Sequence, residues 1–466
     1  MIMKSIDKFY SNLTKLSPKT LWTKIKYPKP ISISQIMKYC FHSWKQYAVR
    51  LEYNLHDYQN HQIPMKFQTF RRTIIITIAA IINISFLIIL VIDPNLIGLP
   101  ISLQNLNEIL HIQECRLLAE FAICNLLLLE HMCFIVFKRT LCYECHVNYI
   151  FIKYFNYNDS NLFRYFHQQY SRFILIINLF TNMIYKILTF GLTIIFIMII
   201  FFTIKSFING HYYLQNIILF ICIAIFVFIH TSYTFGQLFI SMKHLMFSIE
   251  FFCLQFKQLL YHLNNILKRK QRQPQQQINH SNIMFIDCLF WYYFHRPYLK
   301  LYNETLHLNY SLRSIFLSIE LISKCSIIFC SLFYGRQIQM NLFNSLFILL
   351  LLSAFGSSTV IYSLVSSFPQ LNQLCCSWLS NYNAQRQYYL LQRKQQQQQL
   401  ITGNSLILNT NNNRRTIRLN LFIQTLSTNQ FGLTCGNVFF INKYNYMQLF
   451  LLNFTLILLF YKKICL

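Results

Sequence analysis

Glu120, Glu130 and Glu320 are carboxylates set inside stretches that are otherwise apolar. Charge in such surroundings is expensive to keep, so by default it marks a binding site, a relay or a pairing. Lys324 follows Glu320 by four residues, which stacks the two on one helical face. Pairing lowers the cost of burying either charge. The leading reading is therefore a structural ion pair, and a ligand contact is the second. Glu120 and Glu130 have no partner nearby in sequence, although His131 adjoins the latter. Gln448, Asn453 and Thr455 are the polar residues of the last apolar stretch. They could line a pore or hydrogen-bond to neighbouring helices, and their spacing does not fit one narrow face. Cys142-Tyr143-Glu144-Cys145-His146 matches the spacing of covalent haem attachment, but a single Cys-x-x-Cys without a second pair is a poor zinc site. In a chain with 15 cysteines it reads as chance. No phosphate-cradling Gly loop, His-x-Glu metal motif or Gly-x-Ser-x-Gly elbow is present. The expectation is no enzyme, no metal and no cofactor.

The elements that must position these residues are long and apolar. Hydrophobic residues make up 55% of the 466 and charged residues only 12%. Seven candidate spans can be read: Thr73–Ile92, Leu117–Phe137, Ile187–Ile204, Ile217–Phe235, Ile315–Tyr334, Leu342–Tyr362 and Asn445–Tyr461. Each can cross about 30 Å of hydrocarbon as a helix, and lipid offers no other way to satisfy the backbone. The predicted fold class is all-α, a polytopic membrane protein of seven transmembrane helices. Its basic residues set the orientation. The first tail and every second loop after it carry 13, 5, 8 and 7 Lys and Arg, whereas the other side has only Arg116, Lys205, Arg336, Lys462 and Lys463. Positive segments resist translocation, so the N-terminus is predicted inside and the C-terminus outside. Topology thus accounts for the net charge of +27, and nucleic acid is not an expected partner. The basic, polar first 30 residues predict no secretory signal peptide.

The chain divides accordingly. Residues 1–72 form a cytoplasmic N-terminal segment. Residues 73–362 hold the first six spans, with a long cytoplasmic extension over 236–314. Residues 363–444 form a cytoplasmic loop with a Gln/Asn-rich insert, and 445–466 are the last span and a short outer tail. Leu238, Met242, Leu245, Ile249, Phe252 and Phe256 recur at helical spacing after the fourth span. This predicts one helix running well past the bilayer. The apolar stretch 173–185 predicts that the third helix also begins below it. Gln395–Gln399 and Asn409–Asn413 read as loop insertions, and helical periodicity returns over 418–430.

Two stretches carry a resemblance. Leu299, Tyr302, Leu308, Asn309 and Phe316 lie within 298–321, and Leu426-Ser427-Thr428-Asn429-Gln430-Phe431-Gly432-Leu433-Thr434-Cys435-Gly436-Asn437-Val438-Phe439-Phe440-Ile441-Asn442 leads into the last span. With the orientation and the extended fourth helix, they resemble the arthropod gustatory and odorant chemoreceptors. That family's last helix reads Thr-Tyr, five hydrophobic residues, then Gln-Phe. Here Thr455 is kept, Leu456 replaces Tyr, Ile457–Tyr461 supply the five, and Lys462-Lys463 replace Gln-Phe. The resemblance implies a multi-pass plasma-membrane receptor of gustatory type. It would be a ligand-gated cation channel of four like or related subunits, opened by a small tastant or odorant. Membrane lipid is the other expected partner.

On that reading Gln448, Asn453, Thr455 and Lys462 belong to the pore or gate. Four Lys462 side chains around one axis would oppose cation entry, although snorkelling to head groups is the simpler role. Glu120, Tyr212, Tyr213, Glu320, Lys324, Phe333 and Tyr334 are the candidate ligand-pocket residues. The four aromatics fit an interfacial belt at least as well. A G-protein-coupled receptor would need the opposite orientation, and the chain lacks Asp-Arg-Tyr after its third span and Asn-Pro-x-x-Tyr in its last. A transporter built on Glu120, Glu130 and Glu320 would move substrate without channel currents.

Overall fold

The computed structural model describes residues 55–63, 67–91, 112–145, 167–208, 214–271, 288, 290–336, 355–356, 358–398, 406–428 and 431–465. Nearly all are helical. The elements are α1 (Leu55–Gln59), α2 (Phe67–Val91), α3 (Ile112–Leu141), α4 (His167–Ile208) and α5 (Leu214–Gln271). A π-helix (Trp291–His295) then leads into α6 (Arg296–Arg336), followed by α7 (Ser367–Gln398) and α8 (Leu406–Thr428). Strands β1 (Thr434–Cys435) and β2 (Phe439–Phe440) precede α9 (Lys443–Cys465). The strands pair antiparallel, Thr434 opposite Phe440 and Cys435 opposite Phe439. Most of the sixth candidate span lies outside the described residues; 358–365 are helical.

The helices form two compact units, one of Met1–Ser248, Ser314–Ile361 and Phe450–Leu466, the other of Ile249–Arg313 and Tyr362–Leu449. In the first, α2 packs on α3. Its outward faces are apolar: Ile74, Ile75, Ile78 and Ile81 on α2, and Ile176, Phe180, Met183, Ile187 and Phe190 on α4, are exposed. The inward faces carry small or polar residues, Ala79, Ala80 and Asn83 on α2 and Asn178 and Thr181 on α4, together with Ile76, Tyr170 and Ile174. Among the described residues Arg172–Ile194 is long and apolar enough to cross a bilayer, which takes in the stretch 173–185 expected below it and starts earlier than the span 187–204 read from sequence; Thr73–Phe86 and Ile221–Thr234 are shorter apolar helices.

In the second unit polar residues share the outside with apolar ones such as Leu374, Tyr388 and Leu391 of α7. On α7 the buried side is Phe368, Asn372, Cys375, Leu379, Tyr382 and Arg386, spaced by three and four, with Gln370, Gln373, Ser377 and Gln385 outside. Helices α7 and α8 pack together. Phe256 of α5 meets Phe431 at 4.7 Å between ring centroids, and Phe368 meets the same ring at 6.1 Å.

Helix α5 runs unbroken for 58 residues, and Met242, Leu245, Ile249, Phe252 and Phe256 are all buried on it. So are Lys243, His244, Phe247, Ser248, Glu250 and Phe251 between them, so the segment is enclosed on all sides where the spacing predicted one buried stripe; Leu238 lies outside the described side chains. The Gln and Asn runs differ from expectation. Gln395–Gln398 end α7 and Asn409–Asn413 lie inside α8. Gln is a good helix former, while the Asn run is carried by its helix, whose Leu419, Phe422 and Leu426 are buried. Tertiary burial outweighs the weak propensity of Asn.

Candidate functional site

Asn83, Glu130 and His230 come from three helices of the first unit and meet inside it. His230 is buried, and its Nε2 lies 3.3 Å from Glu130 Oε1, while its Nδ1 lies 2.8 Å from Asn83 Nδ2. The two ring nitrogens of His230 are thus each taken by a side chain from a different helix, the Asn83 amide on one and the Glu130 carboxylate on the other. One turn on, Thr234 donates to the His230 carbonyl at 2.8 Å, and Gln237 donates to Cys133. The histidine is fully buried between apolar helices, where a polar ring needs partners, and the part-exposed Glu130 carboxylate is one of them. Further along α5, Lys243 is 3% exposed, and its Nζ donates to Asn178 Oδ1 of α4 at 2.7 Å. Tyr170 of α4 donates to the Phe247 carbonyl at 3.2 Å. The neighbouring His244 is buried, which pushes its pKa well below the usual histidine value, with Lys243 adding to the effect. It is neutral at neutral pH.

The predicted pocket residues divide. Glu320 and Lys324 pair on successive turns of α6, Oε1 to Nζ 3.6 Å, with the carboxylate buried and the ammonium part-exposed. Next to Lys324, Ser323 accepts a 3.0 Å bond from Ser358. Tyr212 and Tyr213 lie outside the described residues, and Glu120, Phe333, Tyr334 and Lys462 outside the described side chains. On α9 the three polar residues separate. Gln448 and Thr455, seven residues apart and so in line along the helix, are both exposed, while Asn453 is buried. Met447, Phe450, Leu451, Leu452 and Phe454 are exposed as well, so α9 is open on most of its circumference; Gln448 Nε2 donates to the Tyr444 hydroxyl at 2.7 Å.

The Cys-x-x-Cys stretch closes the end of α3. Tyr143 takes a positive φ of 57°, and Glu144 N returns to the Arg139 carbonyl at 2.8 Å, a helix-ending turn. The Tyr58 hydroxyl accepts from Cys145 N at 3.0 Å, and the Tyr143 hydroxyl accepts from Ile63 N at 3.1 Å. Cys145 is buried and Cys142 exposed. Among the described residues no group of three or more His, Cys, Asp and Glu could hold a metal.

In the second unit the two stretches that carried the resemblance pack on each other. Asn309 Oδ1 accepts from Thr434 N at 2.8 Å and from its hydroxyl at 3.1 Å. Gly436 N donates to the Arg313 carbonyl at 2.8 Å, with Gly436 at φ 58°. Gly432 sits where a Cβ would come within 2.7 Å of the Phe440 ring. The rings of Tyr298 and Tyr302 each lie 5.7 Å from that of Phe431. Tyr298 is buried, which raises its pKa far above the usual phenol value. Its hydroxyl donates to Asn372 Oδ1 at 2.9 Å, and Asn372 in turn donates to the Leu426 carbonyl. Asn442 then caps α9, its Oδ1 accepting from Asn445 N at 2.7 Å. This knot fixes where the last helix begins.

Asn83 and His230 are not among the candidate residues read from the sequence. The available signal was their position, a His and an Asn inside apolar stretches, which calls for a partner across helices.

Long helices, apolar outside and polar at their mutual contacts in one unit and mixed on the outside of the other, define a polytopic helical membrane fold. No protein-family model and no curated protein matches the chain in sequence. Among solved structures it is similar to the insect olfactory receptor OR5 from Machilis hrabei in complex with eugenol. The TM-score is 0.58 over 92% of this chain and 98% of that one, at 12% identity. The shared property at that identity is the fold.

Proposed function

We propose that this protein is a chemosensory receptor of the arthropod gustatory and odorant kind, gustatory in type, acting in the plasma membrane as a ligand-gated cation channel. The observation that carries the reading is the fold likeness over nearly the whole of both chains. The packing of Asn309 on Thr434 supports it, because both stretches that resemble the family are part of one structural knot. The chain crosses the membrane seven times with its N-terminus inside and C-terminus outside. An extracellular small molecule, of the odorant class to which the neighbour's eugenol belongs, binds among the outer halves of the first six spans. Such a ligand opens the pore only by binding the open state more tightly than the closed one. Four subunits, identical or related, set the Gln448 and Thr455 face of α9 around a central path, and Asn453 holds the helix to its own bundle.

A tag after Leu466 tests the orientation: antibody should label intact cells. Ligand-evoked currents should then persist in excised patches without nucleotide, and Lys462→Gln should enlarge the cation current. Tag access only after permeabilisation, in cells that display the protein at the surface, would sink the topology. Currents lost with G-protein inhibition would instead favour a G-protein-coupled receptor. A transporter is the second reading, favoured by the Asn83–His230–Glu130 cluster between helices. It requires ligand uptake without single-channel events.

A further inference from the structure

The π-helix, the start of α6 and the middle of α8 enclose a cavity of about 380 Å³ in the second unit. Its floor is aromatic and buried, made by Tyr298 and Phe422, whose rings meet edge-on at 5.7 Å between centroids. Trp291 and His295 form one wall, 4.4 Å apart, with His295 4.6 Å from Phe422. Burial, with Arg296 adding to it, lowers the His295 pKa, so the ring is neutral and apolar in character at neutral pH. Arg418 and Thr425 lie on the rim, seven residues apart on α8 and both exposed. Among the described residues no carboxylate pairs with Arg418.

Three features favour a small molecule over an unused dent. The volume falls within the range of ligand sites, and an aromatic lining with few placed polar groups is their usual composition. The wall is a π-helical turn, a rare distortion that recurs at functional sites. The single guanidinium at the mouth matches an acid group attached to whatever stacks on the floor. We infer that this cavity is a second binding site, for a small aromatic molecule bearing one carboxylate or similar acid. It is formed wholly by the second unit and does not rest on the channel reading.

The test uses the purified full-length protein in nanodiscs and two probes of equal shape, naphthoate and the neutral naphthalenemethanol, followed by saturation-transfer NMR. Naphthoate should bind saturably and more tightly than the alcohol. Arg418→Gln should weaken naphthoate about tenfold, a loss of roughly 1.4 kcal/mol, and leave the alcohol unchanged. Thr425→Trp, which fills the mouth, should abolish both. Melting temperatures of the two variants, altered at exposed positions, check the fold. Saturable binding of neither probe overturns the inference. So does equal binding of both with no response to Arg418→Gln. Thr425→Cys chains that cross-link to one another in nanodiscs, with no probe bound, would assign the cavity to a second copy and overturn it too.

Discussion

Helix α4 and helix α7 are built by opposite rules. On α4 the large apolar side chains Phe180, Ile187 and Phe190 are exposed while Asn178 and Thr181 are buried; on α7 Phe368, Leu379 and Tyr382 are buried while Gln370 and Gln373 face out. The outward face of α4 is thus apolar, as lipid would require, while that of α7 mixes glutamines with Leu374, Tyr388 and Leu391. Apolar surface costs nothing against hydrocarbon, so helices there are held by close packing and by polar ties such as Asn83–His230–Glu130. In water the burial of apolar rings drives assembly, and the second unit accordingly centres on Phe256, Tyr298, Phe368 and Phe431.

Core truncation in the second unit should produce the largest effect. Phe431→Ala should cost about 3–5 kcal/mol, the range for buried aromatics, and lower the melting temperature strongly in size-exclusion thermal assays. Ile78→Ala on the exposed face of α2 should barely move it. Comparable losses from both would erase the distinction between the units. Next, Phe190→Arg places a charge on the exposed face of α4. If that face meets lipid the change costs about 2.5–3.5 kcal/mol near the bilayer centre and should cut surface expression sharply. Normal expression would mean that the face is wetted.

A smaller loss is expected from His230→Ala, which strips Glu130 and Asn83 of a partner. About 1–3 kcal/mol is the cost of leaving a buried polar group such as Asn83 short of its partner. Replacing all three by apolar residues of similar size should recover most of it. Failure to recover would show a role in gating or transport beyond structure.

Acidification should have the smallest effect. Burial holds the pKa values of His244 and His295 below 6.5, so as pH falls through that value the unfolded chain binds protons that the folded one refuses. Stability is fully present above it and declines below it. Glu250, whose pKa burial raises, acts in the opposite sense by gaining its proton early in the fold. In a Glu250→Gln background the melting temperature should therefore fall by a few degrees between about pH 7.5 and pH 5.5. His244→Phe should reduce that fall. A flat profile in the Glu250→Gln chain would contradict the burial of both histidines.

The sequence by itself determined the long apolar helices, the continuation of α5 through Ile249 and Phe256, and the Glu320–Lys324 pairing. These depend on periodicity and i,i+4 spacing, which are local properties of a helix. Only the tertiary structure decided the rest. It brought Asn83, Glu130 and His230 together from positions 147 and 100 residues apart. It sorted Asn453 from Gln448 and Thr455, folded the Gln and Asn runs into α7 and α8, and seated the Thr434–Phe440 hairpin against Asn309 and Arg313. Each of these depends on which helix lies opposite. A chain pattern can state that a residue needs a partner, but the partner is chosen by packing between segments that only meet once the helices have formed.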